Sequence, residues 1–128
     1  QNIVIDTKNK TKKTSLADLI VLGMQEKKAQ NISIIDLRKL KESVADYFIV
    51  CSGNSDTQVD AIHDSIYEVV FKADKIHPWR TEGAQQKEWI VVDYGDVVAH
   101  IFRKDRRPFY NLEELWGDGV ITKIENLD

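Results

Sequence analysis

The groups in this sequence equipped for catalysis or metal binding are few: His63, His77 and His100, the acids Asp93 and Asp96, and the single cysteine Cys51. They fall into no working catalytic pattern. There is no HExxH motif, no CxxC pair and no GxSxG elbow, so zinc-hydrolase and α/β-hydrolase chemistry lack their basic parts. Asp93 and His100 come nearest. They sit in WIVVDYGDVVAHIF, residues 89–102, where Gly95-Asp96 separates two β-branched runs and signals a two-residue hairpin turn. With 95 and 96 as the turn, Tyr94 faces Val97, Asp93 faces Val98, Val91 faces His100 and Trp89 faces Phe102. Paired residues share a face, which makes Asp93 and His100 diagonal neighbours. A carboxylate can orient an imidazole for general-base work. No nucleophile stands beside them, so their expected role is hydrogen bonding or contact with a partner. Asp93 and Asp96 are wrongly spaced to share Mg²⁺, because i and i+3 on a strand lie on opposite faces and the turn intervenes. Cys51 lies in an apolar run without a partner base and is expected to be inert core. Gly53-Asn54-Ser55, ahead of a helix, could cradle a phosphate on free N–H groups. With one glycine, no P-loop lysine and no dinucleotide fingerprint, it is expected to be a structural turn. Neither a cofactor nor a metal is expected.

The two faces of the hairpin differ. One carries Ile90, Val92, Tyr94, Val97, Ala99 and Ile101 and reads as core. The other carries Trp89, Val91, Asp93, Val98, His100 and Phe102, and reads as a half-wet surface made to meet something. Trp89, Phe102, Tyr110 and Trp116 admit two readings. They form either a hydrophobic minicore under the C-terminal segment or a protein-binding patch, since aromatics rimmed by charge are common interface anchors. Pattern alone leaves both open.

The elements that must position these residues follow from periodicity and caps. Residues 1–14 are polar and basic and are expected to be a flexible tail. Ser15 caps a helix with Asp18 in its first turn. Leu16, Leu19, Ile20, Gly23, Met24 and Lys27 form its inward stripe, and it is expected to end near Gln30-Asn31. Ile32–Leu37 and Asp46–Ser52 read as strands, the second covered on both faces, with residues 38–45 a polar connector. Ser55 and Gln58 make a capping box for a helix of roughly 18 residues, long enough to cross a sheet. Its buried stripe runs through Val59, Ile62, Ile66, Val69, Val70 and Ala73. Ile76–Thr81 reads as an edge strand because Pro78 cannot donate to a ladder. Residues 82–87 are a loop before the hairpin. Asn111 caps a short helix with Glu114 at its third position, tacked down by Leu112, Leu115 and Trp116 and stopped by Gly117-Asp118-Gly119. Residues 120–128 are expected to be a C-terminal tail with a brief strand at Val120–Ile124. The result is one domain over 15–119, a mixed α/β fold with a sheet of about five strands packed with helices.

Composition agrees with this. The 128 residues are 42% hydrophobic and 30% charged, enough for one soluble domain with a real core. The net charge of −3 argues against a nucleic-acid coat. One cysteine fits a reducing compartment. No run approaches the roughly 18 apolar residues of a membrane span, and the first residues carry no apolar signal region. A cytoplasmic protein with no membrane contact is expected.

Four segments, in this order, resemble the ribosomal silencing factor (Iojap-like) family. They are Asp46-Tyr47-Phe48-Ile49-Val50 with Ser52-Gly53-Asn54-Ser55; Trp89-Ile90-Val91-Val92-Asp93; Gly95-Asp96-Val97-Val98-Ala99-His100-Ile101-Phe102; and Phe109-Tyr110-Asn111-Leu112-Glu113-Glu114-Leu115-Trp116-Gly117-Asp118. The resemblance spans Ser15 to Asp118. It implies a binding protein that docks on large-subunit ribosomal protein uL-fourteen, blocks an intersubunit bridge and represses translation. Organellar relatives imply a part in large-subunit assembly. It puts the family's contact tryptophan on Trp89 and its contact tyrosine on Tyr110, with Phe102 and His100 beside Trp89 and Glu82 on the rim. It leaves room for a peripheral rRNA contact and for a homodimer of the free protein through the same aromatic face. The fold it implies also resembles a minimal nucleotidyltransferase domain. Such enzymes need a Gly-Ser motif and paired carboxylates on a strand. Here Gly53-Asn54-Ser55 is a faint echo and DYFIVCS offers only Asp46, so no enzyme is expected. The basic residues 8–13 lie outside the family's pattern.

Overall fold

The computed structural model describes residues 14–40, 43–107 and 120–126. Its elements run α1 Leu16–Glu26, β1 Gln30–Asp36, β2 Tyr47–Gly53, α2 Asp56–Asp74, β3 Arg80–Glu82, β4 Trp89–Asp93, β5 Val97–Arg103 and β6 Val120–Lys123. The strands form one mixed sheet in the order β3-β4-β5-β2-β1-β6. β2 and β5 are parallel and their neighbours pair antiparallel.

Alternation along the strands divides the core in two. Ile49, Cys51, Ile90, Val92, Val97, Ala99 and Ile101 face α1 and α2, meeting Ile20, Met24, Val59, Ile62 and Ile66. Phe48, Val50, Val98 and Phe102 point the other way and are covered by Ile35, Leu37, Ala45 and the half-buried Leu40. Both helices therefore lie on one face. The opposite face is covered, among the described residues, only by the connector after β1.

The helix starts follow the sequence. Ser15 accepts from Asp18 N–H at 3.1 Å, and Ser55 accepts from Gln58 N–H at 3.2 Å. Gln58 also reaches beyond its own helix. Its Oε1 accepts from Asn54 N–H at 2.6 Å, and its Nε2 donates to the carbonyls of Lys27 and Lys28 at 3.0 and 3.2 Å. One side chain thus caps the start of α2 and the end of α1.

Three boundaries differ from expectation. α1 stops at Glu26, four residues before Gln30. Ala29 N–H donates to Met24 O and Lys28 N–H to Gln25 O, with Lys28 in the left-handed region at φ 57°. This is a Schellman termination built on lysine where glycine is the usual signal. Gln30-Asn31 instead begin β1, where Asn31 at φ 53° accompanies a register shift between Gln30 and Ser33. β3 is shorter than the expected Ile76–Thr81. After the left-handed cap at Lys75, residues 76–78 cross from helix to sheet, and only Arg80–Glu82 join the ladder, at the edge. Finally, the brief strand expected at Val120–Ile124 is present as β6, but it pairs along β1 with Ile124 buried, so it is a sixth strand of the sheet and not part of a tail. The expected helix from Asn111 to Trp116 and the tail before Thr14 lie outside the described residues.

Candidate functional site

The hairpin pairs as its turn chemistry dictates: Trp89 with Phe102, Val91 with His100, Asp93 with Val98. Gly95 sits at φ 92°, and Asp93 Oδ1 accepts from its N–H at 2.8 Å. Trp89, His100 and Phe102 therefore share the helix-free face. The Trp89 indole stacks on Phe102, with centroids 5.2 Å apart at 22°. Its Nε1–H donates to His100 Nδ1 at 3.0 Å. Phe48 from β2 meets the His100 ring edge-on at 4.6 Å.

These residues differ in what they can touch. Trp89 is half-buried and packs against the second core cluster. Phe102 is 0% and His100 5% exposed, so neither forms the open surface expected of it, and they act as the bed beneath Trp89. The cause is the connector. Leu37, Leu40 and Ala45 fold back over this face, although residues 38–45 read as polar. Burial pushes the His100 imidazole down to about pKa 4, against a smaller upward pull from Asp93. The ring is neutral at physiological pH.

Glu82 pairs with Val91, so it lies on the Trp89 face and is exposed. Tyr110 lies outside the described residues. Asp93 does not partner His100. It closes the turn and pairs with Arg80 Nε at 3.3 Å. His63 lies on α2 beside Asp64, and His77 follows α2, where it meets the Tyr67 hydroxyl. Cys51 is buried, and its thiol is pushed up to about pKa 12 by desolvation. Among the described residues no group of three or more His, Cys, Asp or Glu is placed to hold a metal ion.

The turn before α2 is filled by its own chain. Asn54 N–H and Gln58 N–H are satisfied by Gln58 and Ser55, and Asp56 in the first turn pairs with Arg103 at 3.0 Å. A phosphate would meet a carboxylate there. Sequence reasoning missed the packing of Phe48 on His100, which needs the parallel pairing of β2 with β5 and has no local signal. Trp79 is 80% exposed and lies over the Gly95 turn.

Together these features define a mixed-sheet α/β domain with helices on one face and a tryptophan-centred aromatic cluster on the other. The family model "Ribosomal silencing factor during starvation" matches residues 9–128, which takes in all but the first of the basic residues 8–13 expected to lie outside the pattern, and the chain belongs to that family. It is 40% identical over 113 residues to Ribosomal silencing factor RsfS of Bacillus subtilis, covering 87% of this chain and 92% of that one. A crystal structure of a Chromobacterium violaceum protein superposes with a TM-score of 0.75 at 32% identity, covering 80% of this chain and 83% of that one. The mouse protein named Mitochondrial assembly of ribosomal large subunit protein 1 is 28% identical over 101 residues, covering 77% of this chain and 44% of that one. No helix among the described residues is long and apolar enough to cross a membrane.

Proposed function

We propose that this chain is a translational repressor of the cytoplasm that docks on ribosomal protein uL-fourteen of the large subunit and blocks subunit joining by its bulk. Membership of the silencing factor family is the observation that carries this reading. The geometry of the patch supports it. Trp89 stands partly exposed on the β4–β5 hairpin, stacked on a fully buried Phe102, with the acidic Glu82 along the same face. An aromatic anchor on a packed bed loses little conformational freedom on binding, which is what makes a hot spot. Tyr110 is assigned as the second anchor.

The mechanism needs no chemical step. A domain of this size covers about 800 Å² per partner, a standard interface. The net charge of −3 disfavours adhesion to bare rRNA and leaves protein contact to direct the docking, with any rRNA contact peripheral. A second reading is large-subunit assembly through the same site, favoured by the name of the mouse relative.

Sedimentation tests the proposal. Purified subunits are run in sucrose gradients with and without the protein. Co-migration with the large subunit and loss of the joined peak are expected. Trp89→Ala and Tyr110→Ala should each weaken docking by about 2 kcal/mol and restore joining. A protein that stays at the top of the gradient while subunits join normally refutes the reading.

A further inference from the structure

The indole N–H of Trp89 is already spent inside the protein, and this bears on how the tryptophan meets a partner. We propose that His100 is a positioning residue for the contact: its Nδ1 holds the Trp89 indole N–H, so Trp89 offers the partner apolar carbon surface and never a hydrogen-bond donor. The proposal rests on Trp89 being a docking anchor and goes one step further, into what the anchor can recognise. The complementary group on the partner is then apolar or aliphatic, packed on the ring, and carries no acceptor aimed at the indole nitrogen.

The argument runs through the imidazole. An indole nitrogen can only donate, so the 3.0 Å bond to Nδ1 requires a lone pair there and puts the proton of the neutral ring on Nε2. That Nε2 is buried and, among the described residues, has no hydrogen-bond partner. A residue 5% exposed with an unsatisfied donor is a costly occupant of a core position where a phenylalanine or leucine would pack without penalty. What the histidine supplies and an apolar residue could not is the acceptor for Trp89. The surroundings fix the ring in that role. Phe48 meets it edge-on at 4.6 Å, and Phe102 lies nearly parallel to both the imidazole, at 11°, and the indole, at 22°. Burial keeps the ring neutral, and a protonated Nδ1 could not accept. The indole is thus stacked from below and tethered at its polar edge, which fixes which edge faces outward.

The test is a double-mutant cycle on the full chain, read as affinity for purified large subunits. His100→Phe removes the acceptor and keeps a ring, whereas His100→Asn puts an amide oxygen near the place of Nδ1. His100→Phe should weaken docking by about threefold to tenfold, the worth of one such bond, and His100→Asn should recover most of it. In the Trp89→Phe background, which has no N–H to hold, His100→Phe should cost nothing further. An equal cost in both backgrounds means a merely structural histidine and overturns the proposal. A second readout needs neither the ribosome nor a stable His100→Phe protein. The Trp89 indole proton, identified by its loss in Trp89→Phe, should exchange slowly with solvent in the wild type. Fast exchange there overturns the lock. If instead exchange is slow but Trp89→Ala leaves docking unchanged, it is the anchor reading that fails.

Discussion

Gly23→Ala pits two opposed effects against each other, and the structure says which wins. In an exposed helix interior, replacing glycine by alanine gains about 1 kcal/mol through the smaller backbone entropy loss. Gly23 lies where α1 packs against Ile66 and Ser65 of α2. A Cβ at this position would lie 2.8 Å from Ile66 Cα, 3.1 Å from Ile66 N and 3.3 Å from Ile66 Cγ1. Carbon atoms pack at about 3.5–4.0 Å, so the helices must separate by roughly 0.7 Å. Two of the three contacts are backbone, so no rotamer change relieves them. Overpacking of this kind costs about 1–3 kcal/mol. The separation also stretches the bond from Ser65 Oγ to Gly23 O, now 2.7 Å and worth about 1 kcal/mol. The net expectation is a loss of about 2 kcal/mol, because about 3 kcal/mol of strain and bond loss exceeds the helix-propensity gain of about 1. Urea unfolding should show a lower midpoint at unchanged slope, and the melting temperature should fall by about 8 °C. A Gly23→Ala protein as stable as the wild type, or more so, refutes the close-packed crossing. Trimming Ile66 to Ala should not rescue the loss, since the clash is with main chain.

Other outcomes follow from the same contacts. His100 has a folded pKa near 4 against about 6.5 unfolded. The unfolded chain therefore binds the proton first, and stability falls as pH drops from 6.5 towards 4, by about 2 kcal/mol at pH 5. Denaturant titrations at pH 7 and 5 should show that extra slope in the wild type and lose it in His100→Asn. Cys51, fully buried with its thiol pushed up to about pKa 12, should resist a thiol reagent at pH 8 in the native protein and react fully in denaturant. Labelling of the native protein at the denatured rate would contradict this burial. Gln58→Ala should cost about 1 kcal/mol, since it removes a cap from both helices at once. Hydrogen exchange should show both α1's last turn and α2's first turn loosened, and loosening of α2 alone would show that the bridge between them carries nothing.

What could be read from the sequence was what is local. Gly95 between two alternating apolar runs specified the hairpin and its register, and hence that Trp89, His100 and Phe102 share a face. Ser15 and Ser55 announced their helices. The end of α1 was harder because Lys28 takes a left-handed conformation without the glycine that usually marks such an end. β6 was legible as a brief strand, but its place was not: it lies far along the chain from the β1 edge it completes, and pairing with a distant strand has no local signature. The position of β2 beside β5, which brings Phe48 to His100, was hidden for the same reason.

The character of the patch depended on that hidden layer. Alternation correctly grouped its residues but could not say how deep each would lie. The depth comes from the segment after β1, whose charged residues Arg38 and Lys39 make it read as a solvated connector, while Leu37, Leu40 and Ala45 turn inward. Arg38 stays outside, bound to Asp36 at 2.7 Å, so the charge and the covering apolar groups occupy opposite sides of one short segment. With that cover, His100 and Phe102 become support and Trp89, at the start of β4, is left partly exposed. Removing the cover should therefore act on Trp89 without touching it. Leu40→Ser would open the apolar cluster on which the indole also packs, increase its solvent quenching and weaken docking, while leaving the α1–α2 layer on the other face intact. If Trp89 emission and docking both stay unchanged in a folded Leu40→Ser protein, the connector is not what sets the depth of the patch.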